Sequence, residues 1–164
     1  PSPLPTNLKA QNTIILSGDI HSSFATDHGA DAQGNRAVEF TVAGVSSASF
    51  SDLLAVQAGS LLAGNPAAGS LVSALPYLLD SLLIGGNQVE QANGDPQKMK
   101  LSKATANGTA VLTATGDELS VTYYHYYYTA QLGELYNVGG IQPMEVNTFT
   151  VAKAEGKNSE LTGS

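Results

Sequence analysis

Hydrophobic residues fall into blocks whose spacing changes along the chain, and each change of period predicts a different element. Thr13, Ile14, Ile15 and Leu16 follow one another without alternation, which predicts a strand buried on both faces. Residues 36–42 alternate instead, with Val38 and Phe40 on one side and Ala37 and Glu39 on the other, the pattern of a half-buried strand. Leu71, Leu75, Leu78, Leu79 and Leu82 recur at helical spacing. Residues 53–62 and 70–84 therefore read as two helices joined by Gly64-Asn65-Pro66-Ala67-Ala68-Gly69, an apolar hairpin. Neither reaches the roughly 20 apolar residues that span a bilayer.

Turn chemistry supplies the remaining boundaries. Residues 1–11 are a proline-rich, polyproline-like connection, and residues 22–35, rich in Ser, Asp, Ala and Gly, read as a loop carrying His28. A small-residue turn over 44–49 leads into the first helix, with Ser49 or Ser51 as its N-cap. Residues 85–105 read as a polar loop around Asn93-Gly94-Asp95-Pro96. Residues 109–114 and 119–128 form a hairpin whose second arm ends in Tyr123-Tyr124-His125-Tyr126-Tyr127-Tyr128, a strand covered on both sides. A final strand reaches Phe149, and the polar tail from Lys153 is expected to fray. Residues 12–152 thus make one α/β (α+β) unit, a mixed sheet with a helical hairpin.

Composition narrows the function classes. The 164 residues suffice for one domain with a real core. The 14 acidic residues against 7 basic give a net charge of −7, which argues against nucleic acid or an anionic membrane as the partner. At 42% hydrophobic and 13% charged, the chain is neither disordered nor highly charged, and a second chain covering part of its surface fits that neutrality. With no cysteine there is no disulfide, thiolate ligand or thiol nucleophile. The opening Pro1-Ser2-Pro3 has neither a signal peptide nor an initiator Met, as expected of a processed piece.

The candidate chemistry lies where the first strand stops. In Gly18-Asp19-Ile20-His21 an extended backbone would aim the Asp19 carboxylate and the His21 imidazole into one space, a ligand pair suited to Zn, Fe, Mn or a mixed centre. The competing structural reading is a Gly-Asp turn followed by a solvated histidine. Glu39, the one charge in its apolar run, reads either as an acceptor that orients His21 or as an ion-pair partner of Arg36 or a lysine. No nucleophile elbow, Gly-rich phosphate loop or HExxH string is present.

The string Leu16-Ser17-Gly18-Asp19-Ile20-His21-Ser22-Ser23-Phe24, with Val38-Glu39-Phe40-Thr41-Val42 and Val45-Ser46-Ser47 after it, resembles the C-terminal portion of the PhoD-like alkaline phosphatases, within the calcineurin-like metallophosphoesterases. The closing hairpin at 108–126 is similar as well. Residues 106–109, Ala106-Asn107-Gly108-Thr109, depart from the Asn-Pro-His and Arg-Gly-Tyr strings of that family. The resemblance implies the C-terminal part of an αββα sandwich and Asp19 and His21 as metal ligands. It also implies Ser46 near the site, and two or more metal ions, Fe and Ca by family, with Zn or Mn alternatives; Ser22, Ser23, the loop histidine His28 and Glu39 are further near-site candidates. Two ligands do not build a two-metal centre. The remaining ligands are expected on a companion N-terminal chain of the same precursor, acting on a small phosphoester in the periplasm or outside the cell. The rival expectation is a noncatalytic β-rich interaction domain.

Overall fold

The computed structural model describes residues 12–18, 20–45, 48–61, 65, 74, 78, 80–82, 84, 97–126, 145–154 and 156–164. Two sheets share one core. The first has the order β1-β3-β2-β4, from β1 (Asn12–Gly18), β2 (Ser23–Ala30), β3 (Arg36–Val42) and β4 (Lys98–Lys103). β1 runs parallel to β3, and β2 is antiparallel to both β3 and β4. The second contains β5 (Asn107–Ala114), β6 (Glu118–Tyr126), β7 (Glu145–Ala154) and β8 (Lys157–Asn158) in that order, with β9 (Thr162–Gly163) paired to β7. Between β3 and β4 lies α1 (Phe50–Leu61).

Alternation places the core. Ala25, Val38, Phe40 and Leu101 from the first sheet meet Val121, Tyr123, Phe149 and Val151 from the second, and Leu161 joins them from the C-terminal stretch. The Tyr123 hydroxyl crosses between the sheets to donate to the Phe24 carbonyl at 2.7 Å, so its polar tip is satisfied while its ring packs. Tyr123 also meets Phe149 edge-on, with ring centroids 6.1 Å apart. Ser49 caps α1 in a reciprocal box. Its Oγ accepts from the Asp52 amide at 3.3 Å, and its own amide donates to the Asp52 carboxylate at 3.1 Å.

Several expectations change here. β1 is not buried on both faces. Among the described residues it is an edge strand paired with β3 alone, and Leu16 is 60% exposed. Residues 22–35 are not all loop, because 23–30 form β2, whose inward positions are Ser23, Ala25 and Asp27. A buried carboxylate at the third of these hides the apolar face from a hydropathy reading. Likewise 98–103, expected in a loop, form β4, where alternate lysines mask an edge strand. The predicted first helix is present as α1. Of the predicted second, Ala74, Leu78, Asp80–Leu82 and Ile84 are helical, and its other residues lie outside the described ones. The hairpin is β5 and β6, while Tyr127 and Tyr128 fall outside the description.

The C-terminal tail does not fray. β7 continues to Ala154, and the chain then threads back along both sheets. The Asn158 amide donates to Asn12 Oδ1 at 2.6 Å, the Leu161 amide to Asp27 Oδ2 at 2.9 Å, and Thr148 N to the Ser164 carbonyl at 3.0 Å. Composition suggested a frayed end because, among the described residues, the tail is anchored mostly through backbone atoms and polar side chains, with Leu161, fully buried, as its large apolar anchor.

Candidate functional site

The sharp turn that leaves β1 determines what His21 can do. β1 ends at Gly18, residues 20–22 form a bend, and His21 has a φ of 59°. A left-handed backbone is unusual for a residue with a Cβ and persists where surrounding contacts hold it. Those contacts are on both ends of the residue. The His21 carbonyl accepts from Phe50 N at 3.0 Å, and its ring Nδ1 lies 2.7 Å from the Ala48 carbonyl oxygen.

That second contact fixes the tautomer. A carbonyl oxygen only accepts, so Nδ1 carries the hydrogen and donates it to Ala48, leaving the lone pair on Nε2. An imidazole held through one nitrogen by a backbone carbonyl, with the other free to coordinate, is the usual arrangement of a metal-ligating histidine. The extended geometry expected to align Asp19 with His21 does not extend to His21, because the strand stops at Gly18 and the bend begins. Asp19 itself lies outside the described residues, as does Ser46.

The serines after His21 are structural in position. Ser22 and Ser23 are buried, and Ser23 Oγ accepts from the Ala43 amide at 3.1 Å, tying the start of β2 to the end of β3.

Glu39 has a different partner from either one expected. Its Oε2 lies 3.1 Å from His28 Nε2, and its Oε1 accepts from Thr41 Oγ1 at 3.1 Å. Ser17 Oγ is 2.6 Å from Thr41 Oγ1, so a polar network crosses β2, β3 and β1 on the face away from the core. Antiparallel pairing explains it: Thr26 sits opposite Glu39, which brings His28 to the same side two residues on. Arg36 is engaged with Asp27 instead. His28 and Glu39 therefore belong together and not with His21, and His28 was the member misread, because its strand was taken for a loop.

The covered aromatic strand expected over 119–128 brings an imidazole into the core, that of His125. His125 is fully buried, stacked 5.7 Å from Tyr123 at an interplanar angle of 7°, with the Asn147 side chain of β7 as its polar neighbour. Burial holds its pKa down to about 4, so the ring is neutral. The aromatic run around it made packing the default reading, and its polar neighbour Asn147 comes from β7, which the run does not show.

Among the described residues no group of three or more His, Asp or Glu side chains converges as a metal cage. The donor set seen here fits one nitrogen ligand of a metal site, His21, and no complete centre. No family model, curated protein or solved structure matches this chain, so the functional reading rests on its own residues.

Proposed function

We propose that this chain supplies part of the active site of a PhoD-like metal-dependent phosphoesterase, acting on phosphomonoesters or phosphodiesters, and that a companion chain of the same precursor supplies the other ligands. The observation that carries the reading is the His21 ring. Its Nδ1–H is committed to the Ala48 carbonyl at 2.7 Å, which leaves Nε2 as a pre-oriented ligand at the end of a strand. Asp19, two residues earlier in the sequence, adds a hard oxygen donor to that borderline nitrogen.

In such a centre, paired cations lower the pKa of a bound water and neutralise the phosphoryl oxygens. The contribution of this chain is to hold and aim. The left-handed backbone at His21 is held by the Phe50 amide, so ring orientation is tied to the first turn of α1. Ser23 Oγ, accepting from the Ala43 amide, ties the start of β2 to the end of β3 just after His21. His28 and Glu39, paired with each other, take no part in binding the metal.

Elemental analysis of the natively assembled protein, alongside hydrolysis of p-nitrophenyl phosphate and bis(p-nitrophenyl) phosphate, tests this. Wild type is expected to carry metal and turn over at least one ester, and His21→Ala to lose both. Full metal content and turnover in His21→Ala would overturn the reading, as would a metal-free wild type.

A further inference from the structure

The edge of a sheet carries a row of backbone donors and acceptors that another strand can pair with, and folded proteins block it with lysines, prolines, bulges or very short strands. β4 is blocked in this way by Lys98, Lys100 and Lys103, and the far side of the second sheet closes on β8 and β9, of two residues each. β1 ends beside His21, where the companion chain is expected. β5 has none of these devices. Its eight residues, Asn107–Ala114, include no charge and no proline, its ladder with β6 runs without a bulge, and among the described residues β6 is its one neighbour.

Exposure marks the open part of that edge. Asn107 and Gly108 are buried, whereas residues 111–114 are all exposed, on both faces of the sheet. Leu112 lies opposite the core residue Val121 and so points inward, yet it is 42% exposed, and Val111, pointing outward, is 53% exposed. A further strand alongside would cover both.

Charge selects the occupant. Each chain carries −7, so two copies repel wherever their charged surfaces face, and the neutral edge is an approach without that cost. A foreign strand with charged side chains would find nothing on β5 to match them. A neutral strand is called for, and the exposed neutral strand at hand is β5 of a second copy. Antiparallel pairing about a two-fold perpendicular to the sheet is self-complementary. It keeps inward residues inward, so that Leu112 meets Leu112 or an alanine of the copy, and Val111 meets Val111 or a threonine.

We propose that the chain self-associates by pairing β5 with β5 of a second copy, joining the two second sheets into one. An edge roughly 27 Å long covers well under the ~1,600 Å² of a standard interface, so the dimer is weak, with a Kd of about 10–100 μM. The contact is independent of the phosphoesterase reading, since none of its residues is His21 or a partner of His21.

Sedimentation equilibrium of the natively prepared protein, from about 5 to 500 μM, counts the copies of this chain in each particle. The expected result is a reversible monomer–dimer equilibrium that tightens as NaCl rises from about 50 to 300 mM, because salt screens the repulsion between the two net charges and leaves the neutral contact alone. Val111→Lys sets two ammonium groups near the two-fold at an exposed position and should weaken the dimer about tenfold or more, while Leu16→Lys, on the β1 edge, should leave it unchanged. In wild type, hydrogen exchange at the β5 amides that point away from β6 should slow as concentration rises, a readout that needs no variant to fold. A monomer throughout the range would overturn the proposal. So would growth beyond the dimer, a dimer that salt weakens, or one lost in Leu16→Lys and kept in Val111→Lys.

Discussion

A single guanidinium nitrogen of Arg36 contacts both oxygens of Asp27, at 2.6 and 2.7 Å, and Asp27 is completely buried. The same carboxylate accepts from the Gly29 amide at 2.8 Å and from the Leu161 amide, so one side chain joins a bulge in β2, the start of β3 and the C-terminal tail. Removing Arg36 leaves a buried charge without its cation. Arg36→Ala should destabilise the fold by about 3–5 kcal/mol, whereas Asp27→Leu with Arg36→Met should cost much less than Arg36→Ala alone. Urea denaturation of the three proteins checks this, and equal losses for single and double variants would refute it.

The tail is a clasp, and its removal should be felt at a distance. Leu161 has no exposed surface and packs on core residues from both sheets, so Leu161→Ala should cost about 2–5 kcal/mol. Gly163 has a φ of 122°, and a Cβ there would collide with the Thr148 carbonyl, so Gly163→Ala should detach β9 from β7 while leaving Leu161 seated. Hydrogen exchange at Thr148 N, which donates to Ser164, should then speed up, with a smaller drop in melting temperature than Leu161→Ala gives.

Strands whose apolar face is continuous or cleanly alternating were legible in the sequence: β1, β3, β5 and β6 appear where Ile14, Phe40, Val111 and Val121 place them. β2 and β4 were not. Each carries polar residues at its buried positions, Asp27 and Ser23 in one and Ser102 in the other, and their compensation comes from partners remote in sequence, Arg36, Leu161 and Asp80. A local pattern cannot show a remote partner. The position of His21 just beyond a strand end was legible, but its left-handed backbone was not, because it is imposed by Phe50 and Ala48 from the other side of the turn.

His125 should leave a signature in the pH dependence of stability. Its folded pKa, near 4 through burial, lies below the usual 6.5, so between those values the unfolded chain holds a proton that the folded chain does not. Stability rises with pH through that window, is fully present above about 6.5, and is lost as pH falls toward 4, by about 3 kcal/mol in all. Asp31, Glu145 and Glu160, whose pKa values are held down, lose stability lower still, and Asp80, raised by burial, acts in the opposite sense. Comparing His125→Phe with wild type isolates the histidine. The variant should show a flatter curve between pH 6.5 and 4, so that its advantage grows with acidity. Parallel curves for the two proteins would mean that His125 titrates normally in the fold.

His21 offers a way to separate metal binding from folding, because its backbone and its ring have different requirements. At a φ of 59°, glycine sits without strain while alanine keeps the Cβ penalty, roughly 1 kcal/mol. If His21 serves only as a turn residue, His21→Gly should be at least as stable as wild type and change nothing else. As a nitrogen ligand, its loss should remove bound metal in His21→Gly and His21→Ala alike, although only alanine, which loses the Nδ1–Ala48 hydrogen bond without shedding the Cβ penalty, melts at lower temperature. His21→Asn adds a third point, since asparagine tolerates the left-handed region and keeps a polar tip, but its shorter amide does not reproduce Nε2. The expected order is therefore glycine and asparagine near wild type in stability, alanine below them, and all three depleted of metal and turnover in the assembled enzyme. Retention of metal by the glycine variant would leave His21 as a turn residue and withdraw the chief support for the phosphoesterase.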